Sequence, residues 1–156
     1  MAPTFAPILT DASPVPIEEK FTLGKKLGQG AFGTVYLVQS LEDENKLYAC
    51  KTIAKSRLTL PNHFDDVRKE VVIMSKLMTN KNVVQLVETF EDADHVYIVM
   101  ELCSGGELFD RIIQKGHYSE SDAATLIRTM LKVVAACHQN DIIHRDLKPE
   151  NFLLDG

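Results

Sequence analysis

The chain has 156 residues, 45% of them apolar, and a net charge of −5 at pH 7. That is apolar material enough for a folded domain, and an acidic balance without a block of like charges disfavours nucleic acid or an anionic membrane as partner. Cys50, Cys103 and Cys137 are odd in number and form no C-x-x-C pair, no apolar run reaches the ~18 residues of a membrane span, and Ala2 excludes N-myristoylation; the expectation is a soluble, cytoplasmic chain with free thiols.

Residues 1–20 hold four of the six prolines, Pro3, Pro7, Pro14 and Pro16, which break helix and strand alike, so a flexible arm is expected there. From Phe21 the pattern alternates with period two. Phe21–Leu27, Thr34–Gln39 and Leu47–Ile53 read as strands. Phe64, Val67, Val71, Met74 and Met78 then recur at helical spacing, predicting an amphipathic helix over Phe64–Met78. Val83–Phe90 and His95–Glu101 are two further strands, joined by the acidic turn Glu91-Asp92-Ala93-Asp94. A short helix is expected from near Gly106. The capping pattern Ser119-Glu120-Ser121-Asp122 opens a long one, running to about Gln139 with Leu126, Ile127, Met130, Val134 and Cys137 on one face. Strands, one helix, strands and then helices make an α+β chain.

Gly28-Gln29-Gly30-Ala31-Phe32-Gly33-Thr34-Val35 fits G-x-G-x-x-G-x-V. The glycine spacing alone is weak, because dinucleotide-binding folds share it and an ordinary glycine hairpin can mimic it. A dinucleotide fold needs a helix after the last glycine, whereas Thr34-Val35-Tyr36-Leu37-Val38 is β-branched and alternating. A hairpin of that kind can close its backbone amides over phosphates.

Lys51 lies on the third strand and shares a face with Ala49. Alone it reads as a snorkelling residue. Glu70, beside the apolar stripe of the helix, supplies the carboxylate that a phosphate-binding cation needs to hold it in place. In His144-Arg145-Asp146-Leu147-Lys148-Pro149-Glu150-Asn151, Asp146 can orient and accept the proton of an attacking hydroxyl. Lys148, two residues on, can reach a transferring phosphate, and Asn151 offers an amide oxygen to Mg²⁺. His63, His95, His117 and His138 show no metal-ligand spacing and read as solvent or turn positions.

With these motifs in order, residues 21–156 resemble the first half or more of a eukaryotic protein kinase domain. Lys148-Pro149-Glu150-Asn151 resembles the serine/threonine branch. Tyr48-Ala49-Cys50-Lys51, Gly105-Gly106-Glu107-Leu108-Phe109-Asp110 and Glu150-Asn151-Phe152-Leu153-Leu154 look most like the calcium-dependent, calmodulin-kinase-like group. The resemblance implies a five-stranded antiparallel N-lobe with one helix over residues 21–100, then a hinge and partial helical C-lobe over 101–156. It implies a protein serine/threonine kinase with ATP and Mg²⁺ as cofactors, and a Ser/Thr protein substrate.

Within that resemblance Leu27, Val35, Ala49 and Leu153 match the residues sandwiching adenine. Met100 matches the gatekeeper, and Glu101-Leu102-Cys103 the hinge. Gly28, Gln29, Gly30, Ala31, Phe32 and Gly33 match the phosphate loop. Glu107 matches a carboxylate for the ribose hydroxyls or a basic substrate residue, and Glu107 with Glu150 fits arginine-bearing substrates. His144, Met74 and Leu86 match members of the stacked regulatory column.

The resemblance also implies a chain truncated after the catalytic loop. The D-F-G aspartate that chelates Mg²⁺, the activation loop and A-P-E are not among these residues, and neither is a D-x-D-x-D-G calcium loop. A lost metal anchor costs roughly two to four decades in rate. Residues 105–156 are expected to be poorly anchored and to expose an apolar patch. A catalytically inactive nucleotide-binding or regulatory fragment is the alternative reading.

Overall fold

A computed structural model of the chain describes residues 6–30 and 33–155. Alternating β-branched and aromatic residues pair as expected. β1 (Phe21–Gln29), β2 (Gly33–Ser40), β3 (Leu47–Ala54), β4 (Leu86–Glu91) and β5 (His95–Glu101) form one antiparallel sheet in the order β1-β2-β3-β5-β4. Helix α1 (Pro61–Leu77) lies in sequence between β3 and β4, and α2 (Leu108–Lys115) and α3 (Glu120–Gln139) follow the sheet. This is the α+β order expected from the sequence. Among the described residues no helix is long and apolar enough to cross a membrane.

The chain divides into two compact units, one of residues 1–75 and 85–102, the other of 76–84 and 103–156. In the first, the pleat sends alternate residues to opposite sheet faces, and each face has its own cluster. Ile53, Val96 and Ile98 pack with Val67 of α1, and Phe64, Val71 and Met74 lie against them. Val38, Cys50, Phe90 and Val99 occupy the other face with Ile17 and Phe21. Phe21 meets the rings of Tyr48 and Phe90 edge-on at 5.8 and 5.9 Å. Burial pushes the Cys50 thiol up to about 11, so it stays protonated at neutral pH.

Several expectations need correction. Residues 8–17 are not a flexible arm: Ile8, Leu9 and Ile17 are buried, and the Ser13 N–H donates to the Thr89 carbonyl at 2.7 Å. Proline denies residues 8–16 helix and ladder, but side-chain burial and capture of the backbone fix them as irregular chain, and a 3₁₀ turn, Ile17–Glu19, follows. The fourth strand begins at Leu86 instead of Val83, because Asn80 turns the chain: its carbonyl accepts from the Val83 N–H and its side chain from the Asn82 N–H. At the end of α1, Leu77 is buried and Met78, expected on the apolar face, is 46% exposed.

In the second unit, the Ser119 hydroxyl caps α3 by accepting from the Asp122 N–H at 3.1 Å. Cys137 is buried and Leu126, Met130 and Val134 are partly so. Ile127, expected on the same face, is exposed, as are Ile113, Leu131, Ile143 and Leu147, so this unit does carry exposed apolar surface.

Candidate active site

The glycine hairpin between β1 and β2 closes with the Gly30 N–H donating to the Gly33 carbonyl at 2.8 Å. Gly33 cannot be larger: a Cβ there would sit 2.7 Å from the Thr52 carbonyl oxygen of β3. Ala31 and Phe32, expected in the phosphate loop, lie outside the described residues. Gly28 is partly buried, and Gln29 and Gly30 are exposed.

Register brings several expected residues to one sheet face. Val35 stands opposite both Gly28 and Lys51, Lys51 opposite Ile98, and Ala49 opposite Met100. Directly opposed residues share a face, so Val35, Ala49, Lys51 and Met100 form a patch on the α1 side of the sheet. Leu27 is 42% exposed near it in the first strand. Glu101 anchors the segment before β4 through its backbone N–H to the Gln85 carbonyl and its carboxylate to the Gln85 N–H, each at 2.9 Å.

On α1, Glu70 stands three residues after buried Val67, at the edge of the stripe that packs on the sheet. Its two oxygens accept from Lys51 Nζ at 2.6 and 2.7 Å. Both side chains keep part of their surface in solvent, 25% and 36%. The ammonium is therefore held in place and still accessible. Met74 and Leu86 lie against the same cluster.

The second unit carries the other chemistry. Arg145 has φ 65°, a left-handed conformation costing a non-glycine residue of order 1–3 kcal/mol. The turn it makes lets the Asp146 N–H approach His144 Nδ1 at 3.4 Å. Pro149 opens a 3₁₀ turn, Pro149–Asn151, that folds Asn151 back. The Asn151 amide group donates to the Asp146 carbonyl at 2.7 Å and to Asp146 Oδ2 at 2.9 Å. Lys148 Nζ lies 3.0 Å from the same Oδ2. The Asn151 hydrogen bond first, and then Lys148, hold the Asp146 carboxyl below the usual carboxylate value. Asp146 is thus an ionised acceptor at neutral pH, suited to orienting a hydroxyl more than to deprotonating it strongly.

The segment after this loop is fastened to 105–108. Glu107 and Leu153 form an antiparallel bridge, the Leu108 N–H donates to the Phe152 carbonyl at 2.8 Å, and the Gly105 N–H to the Leu154 carbonyl at 2.8 Å. Gly105 is dictated by that approach, since a Cβ would meet the Asp155 carbonyl oxygen at 2.5 Å. Expected residues Glu107 and Leu153 are thereby brought together; Cys103 precedes them, and Glu150 is exposed.

For a divalent cation the donor set is spare. Among the described residues no three His, Cys, Asp or Glu side chains cluster as a metal site. The amide oxygen of Asn151 with the Asp146 carboxylate beside it suits Mg²⁺, which binds few protein oxygens and completes its shell with water and substrate phosphates.

Sequence reasoning missed a second ion pair, Lys55 with Glu91, at 2.8 Å and almost wholly buried. Arg68, Glu91 and Lys55 have no local pattern that sets them apart from solvated charges: Arg68 pairs with nearby Asp65 as an ordinary helix surface residue would, and its contact with Ile8, like those of Glu91 and Lys55, is distant in sequence.

The protein kinase domain family matches residues 21–156. Calcium-dependent protein kinase 7 of Oryza sativa subsp. japonica is 54% identical over 138 residues, 88% of this chain and 25% of the relative. Calcium-dependent protein kinase 32 of Arabidopsis thaliana is 49% identical over 146 residues, 94% of this chain and 27% of the relative. Calcium-dependent protein kinase 5 of Solanum tuberosum is 54% identical over 138 residues, 88% of this chain and 26% of the relative. The chain spans about a quarter of the length of these relatives.

Proposed function

Because the chain belongs to the protein kinase domain family, we propose that it serves an ATP-dependent protein serine/threonine kinase of the calcium-dependent group. The observation that carries the reading is the Asp146 carboxylate held by both Lys148 and Asn151. An ionised acceptor, a cation and an amide oxygen at one turn are the groups that phosphoryl transfer to a hydroxyl needs. Mg²⁺, with Asn151 as its ligand here, would neutralise phosphate charge.

The substrate hydroxyl oxygen forms its bond to the γ-phosphorus as the bond to the β,γ-bridging oxygen breaks, and ADP leaves. Asp146 orients the hydroxyl and takes its proton, which passes on to solvent. Lys148 meets the charge on the transferring group. Lys51, fixed by Glu70, is the cation for the α- and β-phosphates, on the strand next to the hairpin that carries Gly28, Gly30 and Gly33. Leu27, Val35, Ala49 and Met100 supply apolar surface for adenine, with backbone at Glu101 for its edge; Leu153 and Cys103, in the second unit, match the family's remaining adenine contacts. Glu107 and Glu150, both exposed, give carboxylates for a substrate's basic residues. Within this reading the protein acts inside the cell on protein substrates.

A nucleotide-binding module without turnover is the second reading. It is favoured by the Lys148–Asp146 pair, which occupies the lysine that would meet the phosphate. Calorimetric titration with ATP and Mg²⁺, followed by labelled-phosphate transfer to an arginine-rich Ser/Thr peptide, separates them. The kinase reading expects binding and transfer, with transfer lost in Asp146→Asn. Binding without transfer supports the module, and no binding at all refutes both.

A further inference from the structure

Residues 8–9 reach the sheet and α1 at once. Ile8 and Leu9 are buried in the cluster formed by Ile53, Val67, Val96 and Ile98. Glu91, at the end of β4, takes their backbone with both oxygens: Oε1 from the Ile8 N–H at 2.7 Å, Oε2 from the Leu9 N–H at 2.8 Å. Glu91 is itself fixed by Lys55, whose Nζ also donates to the Asp92 carbonyl at 2.6 Å. From the other side, Arg68 of α1 donates Nε to the Ile8 carbonyl at 2.6 Å. One residue of the N-terminal segment is thus gripped by a strand-end carboxylate and a helix guanidinium.

We propose that residues 8–12 are a strap that positions α1, and with it the Lys51–Glu70 ion pair, with Arg68 and Glu91 as positioning residues. Arg68 and Glu70 stand two positions apart, about 200° around the helix. Strap and lysine therefore hold α1 from nearly opposite sides, while Phe64, Val67 and Val71 pack beneath. Releasing the strap removes apolar filling next to Val67 and one of the two grips, so α1 gains freedom to rotate Glu70 away from Lys51. The groups that fix the strap are backbone amides and a carbonyl, and its apolar contribution is two adjacent side chains. An extended peptide with the same pair can therefore replace it. The effect on nucleotide binding rests on the kinase reading; the hold on α1 does not.

The test uses the full chain carrying Ile8→Asp and Leu9→Asp, read by amide hydrogen exchange. We expect the α1 amides to lose protection by at least about tenfold more than the β2–β3 ladder does. A saturating peptide of residues 6–16 should restore α1 protection, and the same peptide with both aspartates should not. Arg68→Ala, an exposed helix position, should give the same local effect more weakly. Where the parent chain binds ATP with Mg²⁺, the double variant should bind more weakly and the peptide should restore affinity. Unchanged α1 exchange would overturn the proposal. So would loss of protection throughout the sheet without rescue by the peptide, which would make the strap ordinary core. A parent chain that fails to bind nucleotide sinks the kinase reading while the exchange result still decides the strap.

Discussion

Replacing Glu91 by alanine strikes the most buried charge pair of the first unit. Lys55 and Glu91 side chains are 2% and 7% exposed. The substitution strands the Lys55 ammonium and frees the Ile8 and Leu9 amides. Removing one partner of a buried pair costs about 3–5 kcal/mol. One way to relieve this is to let residues 8–12 undock so that water reaches Lys55. That route exposes Ile8 and Leu9, at roughly 1.5–3 kcal/mol each, and so caps the loss near ~6 kcal/mol. We therefore expect urea unfolding, followed by far-UV circular dichroism, to give a loss of about 3–5 kcal/mol for Glu91→Ala. The double variant Lys55→Met/Glu91→Leu removes both charges and keeps the volume, and should recover part of it, the Ile8 and Leu9 amides still lacking their acceptor. A Glu91→Ala loss below about 1 kcal/mol, typical of a solvated pair, would refute the reasoning, as would a double variant no more stable than the single.

The same carboxylate predicts an acid transition. Burial raises the Glu91 pKa, but the Lys55 hydrogen bond and the Leu9 and Ile8 amides outweigh it, leaving it below the ordinary 4.5. Its contribution is therefore complete above pH 4.5 and is lost as pH falls through the lower folded value; acid titration of α1 exchange should show this limb, and Glu91→Gln should abolish it. Asn151→Ala removes the leading cause of the low Asp146 pKa, so carboxyl NMR should find that group moved up toward 3.8, with Lys148 still holding it partly down. An unmoved resonance would deny the Asn151 bond. Lys51→Met should abolish phosphate transfer and weaken ATP binding by about tenfold or more, while changing stability by no more than about 1 kcal/mol, since the pair is partly solvated. Equal loss of fold and binding would show Lys51 to be structural.

The sheet was legible because each strand carries its own alternation, and α1 because Phe64, Val67, Val71 and Met74 repeat at helical spacing. Lys51 and Glu70 were legible as partners because the strand and the helix each present one charge next to an apolar stripe. Asp146, Lys148 and Asn151 are close in sequence, and one tight turn brings them together. What stayed hidden depends on distant partners. Nothing local to Ile8 and Leu9 announces Glu91, more than eighty residues away. Four prolines argued only against regular structure, and residues 8–16 are fixed without any, ahead of the short 3₁₀ turn Ile17–Glu19. Lys55 reads as a surface lysine until the sheet is assembled and its ammonium is enclosed by Glu91 and Asp92. Leu77 and Met78 exchanged places because the Asn80 turn ends the helix, and a periodic pattern does not show where a helix stops.

The most direct test of the kinase reading gives the full chain labelled ATP, Mg²⁺ and three arginine-bearing peptides that differ only in one acceptor: serine, threonine or tyrosine. The kinase reading, with the resemblance of Lys148-Pro149-Glu150-Asn151 to the serine/threonine branch, predicts label on serine and threonine, none on tyrosine, and none on any peptide with Asp146→Asn. Label on no peptide from a folded, ATP-binding chain, or label that survives Asp146→Asn, would contradict it.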